Sequence, residues 1–488
     1  MSSPKINLLS FSGNVRILHL SWVAFFISFV VWFNHAPLLA SIRDTFQLTD
    51  GQVKALLTLN VALTIPVRIF VGMLVDKFGP RRMYSALLAI CGGLCFFFAL
   101  ANSYEQLAMA RLLLGCVGAG FVIGIRLISE WFPAKQVGFA EGIYGGWGNF
   151  GSAAASLSLP VIALAFGGAD AWRWAVAVTG VIAIVYAGLF YLGASDTPKG
   201  STYFKPKKLG AMEVTSKGDF WLYVFLQVPM TAALLVLTWK LSPAGFKLID
   251  QNTAYAVYAA LLALFTWNIW QIVDVNRNIL AGEVVPQIHR YKFKQVAILS
   301  AAYAIAFGSE IAVVSMLPLY FKDMYGLTLV QAGLVGSSFA IMNLIARPAG
   351  GLISDRFGRK RTMSIVMVGI TFGYFGMSFM GQWPLWAAVA VTVVNSFFVQ
   401  AGCGAVYGII PLIKRRLTGQ IAGMSGAYGN VGSVVFLTVL SFVTPATFFL
   451  VIAASALVVL VIVQLLDEPS GQMAEIMPDG TVQMIDVA

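Results

Sequence analysis

The sequence predicts an all-α polytopic membrane protein, built as two six-helix halves with an extra helix pair between them. Three observations predict it. The chain has 488 residues, 59% hydrophobic and only 11% charged, whereas a soluble domain carries about 25% charged residues. Apolar runs long enough to span recur along the whole length, a bilayer core taking ~20 apolar residues per helix. The chain also repeats itself. Arg68, Gly72, Asp76, Gly79 and Arg81-Arg82 return as Arg347, Gly351, Asp355, Gly358 and Lys360-Arg361, each pair offset by 279 residues. Gly142-x-x-Gly145-Gly146-Trp147-Gly148-Asn149-Phe150-Gly151-Ser152 returns as Gly423-x-x-Gly426-Ala427-Tyr428-Gly429-Asn430-Val431-Gly432-Ser433, offset by 281. Two copies of one module, each placing an arginine inside an apolar helix, point to a membrane transporter with an anion site between its halves.

The first half, residues 1–195, holds apolar runs near 17–42, 53–75, 83–101, 105–131, 138–166 and 172–194. A central linker, 196–293, carries two more at 220–241 and 253–274. Trp221, Trp239, Trp267 and Trp270 there suit headgroup depth, so one or both of these runs could instead lie at the interface. The second half, 294–467, holds runs near 295–321, 328–350, 362–380, 384–411, 419–443 and 445–466. The expected total is about 14 transmembrane helices, followed by a polar, disordered cytoplasmic tail over 468–488.

Charge supports this count. Alternate loops are basic: Lys77/Arg81/Arg82, Lys135, the lysine-rich central stretch, Arg356/Arg359/Lys360/Arg361 and Lys414/Arg415/Arg416. The intervening loops are nearly free of cations, which puts both termini in the cytoplasm. The net charge of +11 therefore reflects topology, and nucleic acid is not an expected partner. Cys91, Cys95, Cys116 and Cys403 fall inside apolar helices and read as small core residues. Three histidines form no cluster, so neither a metal nor a cofactor is expected. The first apolar run is long enough to span and stay, with no cleavable signal before it.

Arg68 and Arg347 each precede their loop aspartate by eight residues, about 12 Å along a helix, which brings them near the middle of a ~30 Å hydrocarbon core. An arginine there costs about 2.5–3.5 kcal/mol on insertion scales and must face a polar cavity or a partner. A bound planar oxyanion suits the forked guanidinium donors; an internal acid such as Glu310, or snorkelling, would do instead. Asn149 and Asn430 lie eleven residues into their helices, ~16 Å, again at mid-membrane. Glycines every three residues line one face of those helices, so neighbouring helices can approach and slide. The amides then supply neutral donors to the same pocket.

Gly-x-x-x-Asp-(Lys/Arg)-x-Gly-x-(Arg/Lys)-Arg after the second helix of each half resembles the loop motif of the major facilitator superfamily. Asp76 and Asp355 would then govern conformational switching by facing a helix N-terminus or a basic partner in one state only. Arg111-x-x-x-Gly115-x-x-Gly118-Ala119 resembles that superfamily's fourth-helix pattern. The paired glycine-asparagine motifs, with an arginine in the second helix of each half, resemble more narrowly its nitrate/nitrite porter family; Phe132-Pro133-x-Lys135-x-x-x-Gly138 also fits. The resemblance covers residues ~15–195 and ~290–466. It implies that Arg68 and Arg347 clamp the anion, that Asn149 hydrogen-bonds it, and that Gly148, Gly429 and Asn430 lie at the pocket. It implies aromatic walls from Tyr303, Phe307 and Phe121. The expected activity is uptake of nitrate or of nitrate and nitrite by a monomeric, multi-pass protein of the plasma membrane (a bacterial inner membrane), without enzymatic chemistry.

Coupling stays open at this level. Glu310, three residues past Phe307, lies deep in the membrane and could carry a proton or neutralise an arginine. Arg126 and Glu130, four apart, read as a structural ion pair or part of a gate. Proton symport is favoured because accumulating an anion against a negative-inside potential costs ~2.3 kcal/mol per charge per 100 mV. Nitrate/nitrite antiport, a non-transporting anion receptor and a carrier of another anion such as an organic phosphate are the alternatives.

Overall fold

The computed structural model describes residues 6–132, 134–200, 211–286, 290–414, 417–468, 472–476 and 482–486. Fourteen long helices or helix stacks follow one another among them. The first half comprises α1 (Gly13–Phe46), α2 (Asp50–Gly72, the helix running on to Phe78), α3 (Pro80–Ala99), α4 (Tyr104–Trp131), α5 (Phe139–Phe166) and α6 (Ala171–Gly193). Next come α7 (Lys217–Leu241) and α8 (Gln251–Val275). The second half comprises α9 (Phe293–Tyr325), α10 (Leu329–Phe357), α11 (Arg359–Met377), α12 (Leu385–Ile409), α13 (Gly419–Leu440) and α14 (Pro445–Val463). Thirteen of these are long and apolar enough to cross a membrane; α11 misses that set because Arg359, Lys360 and Arg361 open it.

The two halves meet in a pseudo-symmetric way. α2 packs against α13, and α5 packs against α10 along both their segments, so each half lends its second and fifth helices to the seam. Both inserted helices are long and apolar enough to cross a membrane. α7 packs on α2, α13 and α9, covering one seam only. It is held at its middle and at one end: the Tyr428 hydroxyl donates to Leu226 O at 2.6 Å, and Lys240 Nζ donates to Thr58 Oγ1 at 2.8 Å. α8 packs on α7 and leaves Tyr255, Leu262, Trp267 and Trp270 exposed, as a lipid-facing helix should.

The end of the bundle away from the basic loops is closed. Arg43 Nη1 reaches Asp323 Oδ2 at 3.0 Å, tying α1 to α9. Beside it Gly333 of α10 packs so closely on α5 that a Cβ would sit 3.1 Å from Pro160 Cγ. An exposed pair like Arg43–Asp323 contributes about 0.2–1 kcal/mol. Arg43→Ala is therefore expected to raise the population open at this end by up to ~5-fold. Spin-label distances across the two helix ends would report it, and an unchanged distribution would remove the pair from gating.

Helix ends explain the remaining loops. α3 begins after Gly79, at φ +86, and its first turn is capped from the end of the half: Arg81 N donates to Asp196 Oδ1 at 2.7 Å. The second half repeats the device with Glu468, whose two oxygens accept from Arg359 N at 2.6 Å and Lys360 N at 2.9 Å. A carboxylate at a helix N-terminus satisfies orphan N–H groups and the dipole together.

The tail departs from expectation. Residues 472–476 (β1) and 482–486 (β2) form an antiparallel pair with Gln472 opposite Asp486 and Ile476 opposite Val482. The sequence carried a signal for it: Met473, Ile476, Val482 and Met484 flank Pro478-Asp479-Gly480, a turn-forming triplet.

Candidate functional site

Arg68 is 1% exposed and stands on α2 at the seam. Two carbonyls hold it. Nε donates to Gly118 O at 3.0 Å, within a 3-10 stretch, Gly115–Ala119, that interrupts α4. Such a break takes carbonyls out of the regular α-helical ladder. Nη1 donates to Gly426 O at 2.6 Å, across the seam on α13. Nη2 is buried without a hydrogen-bond partner, and Arg68 makes no ion pair among the described residues. Its charge is flanked by the rings of Phe121 and Phe307, at 5.3 and 5.4 Å from their centroids. Each such contact supplies about 0.5–2 kcal/mol, less than a desolvated cation demands.

Arg347 stands at the equivalent place on α10 and addresses the equivalent glycine. A Cβ on Gly145 would lie 3.5 Å from Arg347 Nη1, and one on Gly426 would lie 3.0 Å from Arg68 Nη1. Its electrostatics differ, however. Nη2 forms a 2.6 Å ion pair with Glu310 Oε2, with side chains 3% and 1% exposed. Asn343 ties the pair together, accepting from Arg347 Nε at 2.7 Å and donating to Glu310 Oε1 at 2.9 Å. Cys403 Sγ lies 3.7 Å from Glu310 Oε2. In this conformation Glu310 is paired with Arg347. The two arginines are thus unequal: Arg347 is compensated internally and Arg68 is not.

Aromatic side chains wall the space between them. Tyr303 and Phe307 stack at 4.9 Å and 6° on α9, and Phe307 also lies 5.6 Å from the Arg347 guanidinium. Tyr407 of α12, which the sequence did not single out, stands edge-on between Phe121 at 4.9 Å and Tyr303 at 5.0 Å. The Tyr303 hydroxyl is buried without a partner. Gly429 makes this packing possible, because a Cβ there would lie 2.7 Å from Phe307 and 2.8 Å from Tyr303. Gly148 does the same for Phe25 of α1. Gly429→Ala is expected to lower stability by about 1–3 kcal/mol through overpacking. An unchanged unfolding temperature in detergent would contradict so close an approach.

Asn149 and Asn430 are fully buried beside this box. Each amide donates to a carbonyl one turn back in its own helix, Asn149 Nδ2 to Gly145 O at 2.6 Å and Asn430 Nδ2 to Gly426 O at 3.0 Å. Each Oδ1 is left without a partner. An amide nitrogen carries two N–H groups, so one donor remains on each.

The gating residues divide. The side chain of Asp76, and Pro133 altogether, lie outside what is described. Asp355 meets a basic partner in its own loop, Arg359 Nη2 at 3.3 Å; Glu468, not Asp355, occupies the helix N-terminus beside it. Arg126 and Glu130 form the expected i,i+4 pair at 2.8 Å. Two cavities open toward the cation-rich end. One of about 110 Å³ is lined by Arg68, Arg126, Gln227, Asn268 and Gln420, so the inserted helices contribute to its wall. The other, about 30 Å³, is lined by Glu141, Arg347, Asp355, Cys403 and Tyr407. Arg111, which opens the fourth-helix pattern, is fully buried and 2.9 Å from His35 Nδ1. No group of three or more His, Cys, Asp or Glu able to hold a metal occurs among the described residues.

Comparison with known proteins agrees with this architecture. The family profile described as Major Facilitator Superfamily matches residues 21–302 and 299–476. The chain is 45% identical to the nitrate/nitrite transporter NrtP of Picosynechococcus sp., over 96% of this chain and 95% of that one. It is 26% identical to a Thermus thermophilus protein named "Probable nitrate/nitrite antiporter NarK1", over 86% and 82%. Among solved structures, the partially occluded inward-open xylose transporter XylE from E. coli superposes with a TM-score of 0.59 at 16% identity, covering 92% of this chain and 98% of that one, a likeness of fold. With that architecture, paired motifs and near full-length similarity, this chain belongs to the nitrate/nitrite porter family of the major facilitator superfamily.

Proposed function

We propose that the transported anion is nitrate, with nitrite as a second substrate, and that it binds at mid-membrane between Arg68 and Arg347. The observation that carries this reading is Arg68: a buried guanidinium at the seam, held by two carbonyls, with Nη2 unpartnered and no ion pair among the described residues. A planar monoanion matches its fork. The second N–H of Asn149 and of Asn430, and the Tyr303 hydroxyl, are neutral donors suited to the same oxyanion. Phe121, Phe307 and Tyr407 keep water out, which strengthens each contact. The names of the relatives support the substrate class.

Because Arg68 and Gly426 belong to opposite halves, an anion on Arg68 binds the same guanidinium that bonds across the seam. Binding thereby changes the balance between conformers, as alternating access requires. Proton-coupled symport with more than one proton per anion is the favoured mode, for the energetic reason given above. Nitrate/nitrite antiport is the second reading, favoured by the ion pair that occupies Glu310. Asp76, Asp355, Arg126 and Glu130 are proposed to bias conformers without touching substrate. The protein is placed in the plasma membrane as a monomer, with both termini on the side of the basic loops, the cytoplasm.

Labelled nitrate uptake into proteoliposomes containing only this protein tests the reading. Net uptake driven by an inward proton gradient at fixed potential is expected. Uptake only with nitrite loaded inside would establish the exchanger, and no flux in either format would overturn the substrate assignment.

A further inference from the structure

We propose that Glu141 is a proton-binding site of the transport cycle, carrying one proton alongside the anion. The inference rests on the nitrate reading above and adds a group to it. Glu141 is 4% exposed, on α5 at the seam with α10. Its Oε1 is buried without a hydrogen-bond partner, and Glu141 makes no ion pair with a described residue. A carboxylate is disfavoured in that packed setting, so the neutral acid suits the state in which the seam is packed and the ionised form suits the anion-free state in which the cavity opens to water. It lines the 30 Å³ cavity at the cation-rich end, whose volume admits one or two waters as proton relays.

The position relative to the anion is what makes the proton useful. Glu141 lies four residues before Gly145, the glycine facing the Arg347 guanidinium, so it is one helical turn, ~6 Å along the axis, from the proposed anion site. An ionised Glu141 and a bound anion repel strongly in a low-dielectric site. Anion binding therefore favours proton uptake, and protonation favours anion binding by the same factor. In the balanced step the carboxylate takes one proton from water on one side. The neutral acid then crosses the conformational change with the anion, and the proton leaves to water on the other side.

The groups around Glu141 do not supply a substitute. α10 presents Arg347, bound to Glu310 of α9, and Asp355, paired with Arg359. α12 presents Cys403, directed at Glu310, and Tyr407, whose hydroxyl donates to Ala422 O at 3.2 Å. α4 carries the Arg126–Glu130 pair. Tyr144, on α5 itself, is bound to Gly120 O and Tyr84. α1 carries Arg16 and His19, the latter engaged by Leu8 O and Trp22. The repeat offset of 281 places Ala422 opposite Glu141 in the second half, so the site is single.

The test uses full-length protein in proteoliposomes, wild type and Glu141→Gln, with potential clamped. Wild type is expected to show nitrate uptake stimulated at least ~10-fold by an inward proton gradient of two pH units. Glu141→Gln should lose that stimulation while retaining nitrate counterflow at equal pH. Glu141→Asp, which keeps the acid, should restore part of it. Nitrate titrations in two buffers of different ionisation enthalpy should also show about one proton taken up per anion by wild type and none by Glu141→Gln. This readout needs only a folded protein. Gradient stimulation surviving in Glu141→Gln, or wild-type nitrate binding without proton uptake, would overturn the assignment. Counterflow without proton linkage would defeat Glu141 alone; absence of any wild-type nitrate flux would defeat the transport reading and this inference with it.

Discussion

Replacing Arg68 with alanine is expected to abolish nitrate transport. Arg68 is the uncompensated cation of the site, with Nη2 directed at no protein acceptor and Nη1 shared with Gly426 across the seam. Losing one partner of a desolvated charged contact costs about 2–5 kcal/mol of binding, a weakening of at least ~30-fold. The cross-seam bond goes with it, so turnover should fall further than affinity. Folding should survive, because the cation has no acid to leave behind: no ion pair to Arg68 occurs among the described residues, and its partners are carbonyls. Flux assays and a thermal unfolding curve on the same preparation check this. A folded Arg68→Ala protein that transports nitrate at the wild-type rate would remove Arg68 from the site.

The second large effect concerns Glu310. Glu310→Gln removes the charge that balances Arg347, leaving a fully buried guanidinium without a counter-ion. Breaking such a pair from one side destabilises by about 3–5 kcal/mol. The expected signature has two parts. The anion-free variant should unfold at a markedly lower temperature than wild type. Nitrate should then raise that temperature more in Glu310→Gln than in wild type, because the anion now faces two unbalanced cations and stabilises whichever state it binds. Transport should slow, since an anion held between two unpaired arginines is released with difficulty. Equal unfolding temperatures without anion would mean that the ion pair contributes nothing net, as some buried pairs do.

Much of this was legible in the chain because membrane helices impose strict rules on sequence. The 279- and 281-residue offsets stand in the chain itself, and helix rise from each loop aspartate carries Arg68 and Arg347 well into their helices, where both are buried. The aromatic wall of Phe121, Tyr303 and Phe307 came from resemblance, since a phenylalanine in an apolar helix carries no local mark of its partner. Tyr407 and Glu141 were missed for the same reason. Tyr407 looks like one more apolar-helix residue until Phe121 and Tyr303 are seen on either side of it. Glu141 sits where a polar helix start is expected, and only packing against α10 shows that it is buried. Glu310 was seen but left ambiguous, because its partner is on another helix and sequence spacing gives no distance between helices. The end caps from Asp196 and Glu468 were invisible for a similar reason: each lies more than a hundred residues from the helix start it satisfies. The tail hairpin was legible but overlooked beside a polar composition.

The inequality of the two arginines is the central claim, and one titration tests it most directly. Nitrate is titrated calorimetrically into purified wild type and Arg68→Lys under identical buffer and salt. Lysine keeps the positive charge but loses the planar fork and the reach to both Gly118 and Gly426. The account predicts one nitrate per wild-type molecule and an affinity at least ~10-fold weaker in Arg68→Lys, about 1.4 kcal/mol. Equal affinities in the two proteins, or no nitrate binding to wild type, would contradict it.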